Sequence, residues 1–118
     1  MAGVVYLVKD LVFSSKIGEA AAHLGVEVRS ARDAESLVGM AHGARLVIVD
    51  LRDAEGMRAL ELLAKEPSAA GVQSVGFVGH ERLDVMETAR ALGCGTVLAK
   101  GAFASGLPAL LRRAAGVA

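Results

Sequence analysis

Charged side chains that directly follow apolar runs are the residues of this chain most able to do chemistry. Asp50 comes straight after Leu46–Val49, where a carboxylate is costly to bury unless it is paired or belongs to a site. Similar runs are followed by Lys9 and Asp10, by Gly79 and His80, and by Lys100. Asp10 and Lys100 could pair with Asp50 in a structural ion-pair network.

Five short apolar runs typical of β-strands alternate with helical patterns. The runs are Val4 to Val8, Val26 to Arg29, Leu46 to Val49, Val72 to Val78 and Thr96 to Ala99. The run before Asp50 is apolar on both faces, which is typical of a central strand in a parallel sheet covered by helices on either side. The sequence therefore predicts an α/β fold, (βα)5, with a doubly wound five-stranded parallel sheet, in a single domain over residues 1–118.

The helices are predicted from apolar spacing and from residues that suit helix ends. The first helix has Ser14 or Ser15 as its cap and ends at Gly25, and the second runs from about Asp33 to His42. The third helix has Asp53 as a candidate cap and ends before Pro67. The fourth starts near Leu83 and stops at Gly93, and the last starts near Ser105 with Pro108 in its first turn. In such sheets, sites form beyond the carboxyl ends of the strands, so the residues named above should lie together.

Composition excludes several classes of function. The chain has 118 residues, 53% of them hydrophobic, with 13 basic and 13 acidic side chains and a single cysteine. This balance disfavours a nucleic-acid or membrane partner. The lone Cys94 and the absence of a signal-like start favour a cytoplasmic location. Because the sequence carries no dinucleotide fingerprint, nucleophile elbow or complete catalytic set, we expect neither an organic cofactor nor enzyme activity.

The strand-end motifs resemble those of response-regulator receiver domains, which have a flavodoxin-like fold. The matching stretches are Val47–Leu51, Val97–Phe103, Ala91–Gly95 and Leu24-Gly25. The resemblance implies strand order 2-1-3-4-5 and places Asp50 where receivers accept a phosphoryl group from a histidine kinase. It also implies Mg²⁺ bound by acidic residues, for which Asp10 and Asp50 are the candidates here.

The residues after the first strand depart from the receiver pattern. Counting back from Gly25 without a gap puts Lys9 at the last acidic position, whereas aligning the apolar strand puts Asp10 there. Either way one carboxylate is missing. A Lys9 ammonium about 6 Å from a divalent ion would repel it by roughly 5 kcal/mol at an effective dielectric near 20. Alternatively, Lys9 could join Asp10 and Asp50 and replace the metal as a fixed countercharge.

Other positions also lack the groups that receivers use for switching. Gly79 stands where receivers carry a Ser or Thr hydroxyl, and Val97 stands where an aromatic side chain is common. His80 would line the same rim, either as a titrating group or as an exposed loop histidine. The apolar Leu11, Val12 and Phe13 either form a partner patch or place Phe13 as a hydrophobic staple on the first helix.

We therefore expect a stand-alone, atypical or pseudo-receiver signalling protein of a two-component-type pathway or phosphorelay, acting through protein contacts with a degenerate phosphorylation switch. The partner would be a histidine kinase, a signalling target, or a second copy bound through helix 4, strand 5 and helix 5. Two alternatives stay open. Asp50 could be a competent phosphoacceptor, or the strand-end crevice could bind a small molecule.

Overall fold

The computed structural model describes residues 3–116, in which strands and helices alternate along the chain. The strands are β1 (Val4–Leu7), β2 (Val28–Ser30), β3 (Leu46–Asp50), β4 (Gln73–Val78) and β5 (Thr96–Ala99); the helices are α1 (Leu11–Leu24), α2 (Ala34–Ala41), α3 (Ala54–Ala64), α4 (Leu83–Ala91) and α5 (Lys100–Ala115), with a short 3₁₀ helix at Pro67–Ala69. All strands pair in parallel, in the order β2-β1-β3-β4-β5. The predicted (βα)5 doubly wound sheet is therefore confirmed.

Alternation along β3 divides the core between the two faces of the sheet. Leu46 and Ile48 pack with α1 and α5, whereas Val47 and Val49 pack with α2, α3 and α4. All five residues of β3 are buried. Because both faces are covered, the strand can be apolar throughout, and only its last residue, Asp50, brings a charge to the edge of the sheet.

Helix α1 begins earlier than the serines at its start predicted. Asp10 is its N-cap, because the Asp10 carboxylate accepts hydrogen bonds from the backbone N–H groups of Val12 at 2.8 Å and Phe13 at 3.1 Å. A carboxylate at this position satisfies free N–H groups of the first turn and suits the positive end of the helix. Ser14 instead donates its hydroxyl to the Leu11 carbonyl, so the predicted serine caps are wrong.

The other predicted helix signals have mixed outcomes. Gly25 ends α1 in the left-handed conformation, with φ of 69°, as glycine allows. Asp33 and Asp53 cap α2 and α3 as predicted. Strand β2 is shifted to Val28–Ser30 from the predicted Val26 to Arg29.

Helix α5 starts at Lys100, five residues before the predicted start. Ser105 lies inside the helix and donates its hydroxyl to the carbonyl of Gly101 at 3.0 Å, so it is not a cap. Pro108 consequently lies in the middle of the helix rather than in its first turn. Burial of Phe103 against the sheet supports the additional turn. Even with it, no helix within residues 3–116 is long and apolar enough to span a bilayer.

Candidate functional site

Asp50 ends β3 at the carboxyl edge of the sheet, beside the point between β1 and β3 where the strand order reverses. It pairs in register with Phe77 of β4 and is only 4% exposed. The turn after it packs closely on α3, since a Cβ at Gly56 would overlap the Asp50 carbonyl oxygen. The backbone at Asp50 is therefore tightly packed, and the residue is almost completely buried.

Both oxygens of the Asp50 carboxylate accept hydrogen bonds from Arg52. Oδ1 accepts from the Arg52 backbone N–H at 3.0 Å and from Nε at 2.9 Å, and Oδ2 accepts from Nη2 at 2.7 Å. This is a bidentate pair of a guanidinium with a carboxylate, which is the strongest common type of charge-assisted contact. The burial of Asp50 is thus compensated by a partner two residues along the chain.

The same guanidinium also reaches the end of β1. Arg52 Nη2 donates to Asp10 Oδ2 at 3.0 Å, so one positive group bridges the carboxylates that follow two neighbouring strands. The side chain of Arg52 is 31% exposed. Its pKa is raised above the ordinary arginine value, chiefly by the hydrogen bond to Asp50, so the guanidinium stays charged.

Two aromatic rings lie against the Arg52 guanidinium. Its central carbon is 5.3 Å from the ring centroid of Phe13 and 5.7 Å from that of Phe77, within the range of cation–π attraction. Phe13 in turn stacks on Phe77, with centroids 5.0 Å apart, and Phe77 stacks on Phe103 at 4.3 Å. Phe13 is therefore part of an aromatic stack beneath Arg52, and the predicted staple is wrong because Phe13 lies within α1, after its cap.

Asp10 has two tasks in this arrangement. Its Oδ1 caps α1 and its Oδ2 accepts from Arg52. The pKa of Asp10 is held below its usual value, first by the hydrogen bond from the Phe13 N–H and further by Arg52 and the Val12 N–H. Asp10, rather than Lys9, is the residue after β1 that faces the Asp50 site, as the alignment of the apolar strand indicated.

Lys9 does not join Asp10 and Asp50. It is exposed, and its Nζ lies 3.6 Å from Asp53 Oδ2, while Asp53 Oδ1 accepts from the Glu55 N–H at the start of α3. The hypothesis that Lys9 is the fixed countercharge is wrong, because Arg52 already satisfies both carboxylates from the adjacent loop.

Lys100 does not form the predicted network either. It is the exposed first residue of α5, and its side chain makes no ion pair or hydrogen bond within residues 3–116. The predicted Asp10–Lys100–Asp50 network is therefore replaced by Asp10–Arg52–Asp50. The helix start at Lys100, rather than at Ser105, leaves this side chain in solvent.

The segment after β4 provides no hydroxyl to the site. Gly79 is buried, and the Glu81 carboxylate lies over it, where a Cβ would meet that group. His80 is exposed at the rim, with Nδ1 3.6 Å from Glu81 Oε2. Val97, at the position of the expected aromatic side chain, packs instead with the α2, α3 and α4 face of the core.

The donor set does not fit a divalent cation. The candidate ligands Asp10 and Asp50 are bridged by a guanidinium, and no cluster of three or more candidate ligand side chains occurs in the described part of the chain. Hard divalent cations require several oxygen ligands free to coordinate them. Here the oxygens that face each other already share one positive group.

Arg52 and its aromatic neighbours are the site residues that sequence reasoning missed. The available signal was the position of Arg52, two residues after a buried carboxylate, where the loop can fold back on the strand end. The contribution of Phe13 and Phe77 had no such signal, because it depends on α1 and β4 meeting across the sheet.

An apolar-walled cavity lies away from this site. It has a volume of about 440 Å³ and lies between α3, the 3₁₀ helix and the start of β4, with Leu60, Leu63, Pro67 and Leu92 in its walls. Asp10, Asp50 and Arg52 do not line it. The alternative of a small molecule in the strand-end crevice gains no support from this cavity.

This geometry, with a five-stranded parallel sheet and a carboxylate at the end of β3, defines the receiver type of flavodoxin-like fold. Solved structures agree. The chain superposes on the signal receiver domain of a DNA-binding response regulator from Colwellia psychrerythraea with a TM-score of 0.79, at 16% identity over 98% of this chain and 99% of that one. A chemotaxis response regulator of Vibrio cholerae gives 0.77, at 18% identity over 97% and 98%.

A third neighbour was solved with a partner protein. It is the receiver domain of a Saccharomyces cerevisiae response regulator, in a complex with a histidine phosphotransfer signalling protein, with a TM-score of 0.75 and 17% identity over 94% of this chain and 86% of that one. No protein-family model matches the sequence, and no curated protein matches it either. At these identities the comparisons establish the receiver fold.

Proposed function

We propose that this chain is a receiver-fold signalling domain of a two-component-type pathway that acts through protein contacts and whose phosphorylation switch is degenerate. The observation that carries the proposal is the bidentate contact of Arg52 with both oxygens of the buried Asp50. An aspartate must present a free oxygen to a phosphoryl donor. In this site that oxygen would first have to lose a charge-assisted hydrogen bond.

Two further features support the loss of switching. Gly79 has no hydroxyl to hold a phosphoryl group, and the Glu81 carboxylate lies against Gly79. Val97 packs into the core as a small aliphatic side chain. Both members of the coupling expected from the receiver resemblance are therefore absent from their positions.

A protein partner is the favoured kind of ligand. The described structure resembles a receiver domain that was solved with a histidine phosphotransfer protein. Among residues 3–116, the most exposed large apolar side chains are Leu11, Leu83 and Val12, in the first turns of α1 and α4, at the same edge of the sheet as Asp50. Exposed apolar side chains at a rim are common where proteins associate.

The proposal is tested by incubating the protein with acetyl phosphate and Mg²⁺ and measuring its intact mass. We expect no adduct of about 80 Da, the mass added by one phosphoryl group. A competent receiver treated in the same reaction serves as the positive control. Efficient labelling that disappears in Asp50→Asn would contradict the proposal and identify the chain as an active phosphoacceptor.

A further inference from the structure

We propose that Arg52 is the fixed cation of this site and is the residue that keeps a divalent metal ion from binding between Asp10 and Asp50. The inference deepens the proposed function and rests on its assignment of the Asp50 site. It goes further by naming a single side chain whose removal opens the pair of carboxylates to a metal ion such as Mg²⁺.

Arg52 contacts both carboxylates through one nitrogen. Nη2 of Arg52 donates to Asp50 Oδ2 at 2.7 Å and to Asp10 Oδ2 at 3.0 Å, so one nitrogen lies between the two carboxylates. A metal ion bound by both oxygens would have to take the place of that nitrogen. It would also meet repulsion from the guanidinium if Arg52 stayed nearby.

Arg52 is also held in place by contacts other than those of Nη2. Its Nε is hydrogen-bonded to Asp50 Oδ1, and its guanidinium lies against the rings of Phe13 and Phe77. A planar guanidinium suits both the bidentate contact and the aromatic surface better than an ammonium does. Displacing it breaks several contacts at once.

Arg52 belongs to the same chain as Asp10 and Asp50, which favours it over a free metal ion in competition for these carboxylates. A tethered group acts at a high effective concentration, so a free cation must compete with a partner that is always present. The other nearby carboxylate, Asp53, offers little help because it caps α3 and lies near Lys9. The two carboxylates alone are a weak set of ligands while the guanidinium occupies them.

The test is a titration with MgCl₂ alone, followed by calorimetry and by amide NMR shifts of residues 50–53. Wild type, Arg52→Ala and Arg58→Ala are compared. Arg58 is a matched control, because it also pairs with carboxylates, Glu35 and Glu55, but away from Asp50. We expect no saturable binding to wild type or Arg58→Ala, and saturable binding to Arg52→Ala that is at least about 10-fold tighter than any wild-type response.

Two results would overturn the inference. Saturable Mg²⁺ binding to wild type, with shifts at residues 50–53, would show that Arg52 does not exclude the ion. Absence of binding to both wild type and a folded Arg52→Ala would show that Arg52 is not the reason for exclusion. Circular dichroism checks the fold of each variant first. Should Arg52→Ala fail to fold, Arg52→Gln takes its place with the same readings, because glutamine removes the charge and keeps a polar side chain.

A charge-retaining variant separates charge from shape. Arg52→Lys keeps a positive group near the carboxylates and is expected to remain free of Mg²⁺ under the conditions in which Arg52→Ala binds it. Equal binding by Arg52→Lys and Arg52→Ala would overturn the role of the charge. Since no phosphoryl donor is present, the MgCl₂ titration tests this inference alone. Labelling of wild type by acetyl phosphate tests the proposed function.

Discussion

Asp50 carries a buried carboxylate at the end of a strand that is otherwise wholly apolar. The free-energy cost of burying this charge depends on the groups that it contacts. Burial without a partner would disfavour the charged form strongly. Arg52 supplies that partner together with its own backbone N–H. Asp50, at the end of β3, therefore forms a structural ion pair with Arg52.

The pair should contribute measurably to stability. We expect Arg52→Ala to lower the free energy of unfolding by about 2 kcal/mol, because Asp50 would keep its burial and lose most of its hydrogen bonds. Arg58→Ala removes exposed ion pairs with Glu35 and Glu55 and should cost at most about 1 kcal/mol. Urea unfolding of both variants measures the difference, and equal losses would argue against a special role for Arg52.

Asp10 makes the stability of the folded protein depend on pH in the acid range. The pKa of Asp10 is lowered in the folded protein, so the folded state binds that proton less readily than the unfolded chain. The stabilisation is therefore present above the ordinary value of 3.8 and is lost as the pH falls below it toward the lowered pKa. Urea unfolding near pH 6 and near pH 3 should show a larger loss for wild type than for Asp10→Asn, which keeps a side-chain oxygen as cap. Identical losses in the two proteins would contradict this assignment.

At the scale of elements, the same few side chains join the site to the helices. Asp10 both starts α1 and accepts from Arg52, and Phe13 in the next turn stacks on Phe77 of β4. Phe77 then stacks on Phe103 of α5. The start of α1, the end of β3 and the first turn of α5 are thereby held together on one side of the sheet.

The half-buried Phe13 should contribute more to stability than its partial exposure indicates. Phe13→Ala removes contacts with two rings and with Arg52, and we expect a loss of about 2 to 3 kcal/mol in the free energy of unfolding. Leu11→Ala is the matched control in the same helical turn, because Leu11 is 81% exposed and should change stability by less than about 0.5 kcal/mol. Similar effects of the two substitutions would contradict the packing role of Phe13.

Local sequence patterns predicted the ends of helices well where the residue at the boundary has a single role. The caps Asp33 and Asp53 and the glycine at the end of α1 could be assigned from sequence, since each has a short polar or flexible side chain at a clear boundary. The start of α1 is not evident from the sequence, because Asp10 is both a site residue and the cap of the helix. The start of α5 is not evident either, because Pro108 suits a first turn, whereas the burial of Phe103 supports an earlier start.

At the scale of the whole molecule, the parallel order of strands was predictable and the chemistry at its edge was predictable only in part. Alternating runs and the apolar β3 led to the sheet, and the sheet placed Asp10 and Asp50 at one edge. The partner of Asp50 was not predictable in the same way, because Lys9, Lys100 and Arg52 all lie at loops near that edge. The choice among them depends on side-chain reach and on the rings beneath the guanidinium, which only the folded structure brings together.

The receiver fold alone does not determine how such a domain signals. The same sheet can carry a carboxylate that is open to phosphoryl transfer or one that is closed by a neighbour. In this chain Arg52 holds both oxygens of Asp50, which is the second of these arrangements. The proposed function therefore depends on whether the Asp50 site responds to a phosphoryl group.

The most direct measurement is an amide NMR titration of the wild-type protein with beryllofluoride in the presence of Mg²⁺, a combination that mimics an acyl phosphate. The account predicts unchanged signals for residues 50–53, Gly79 and Lys100, because Arg52 keeps both oxygens of Asp50 occupied. A saturable new set of signals for these residues, absent in Asp50→Asn, would contradict it and show that the site still accepts a phosphoryl group.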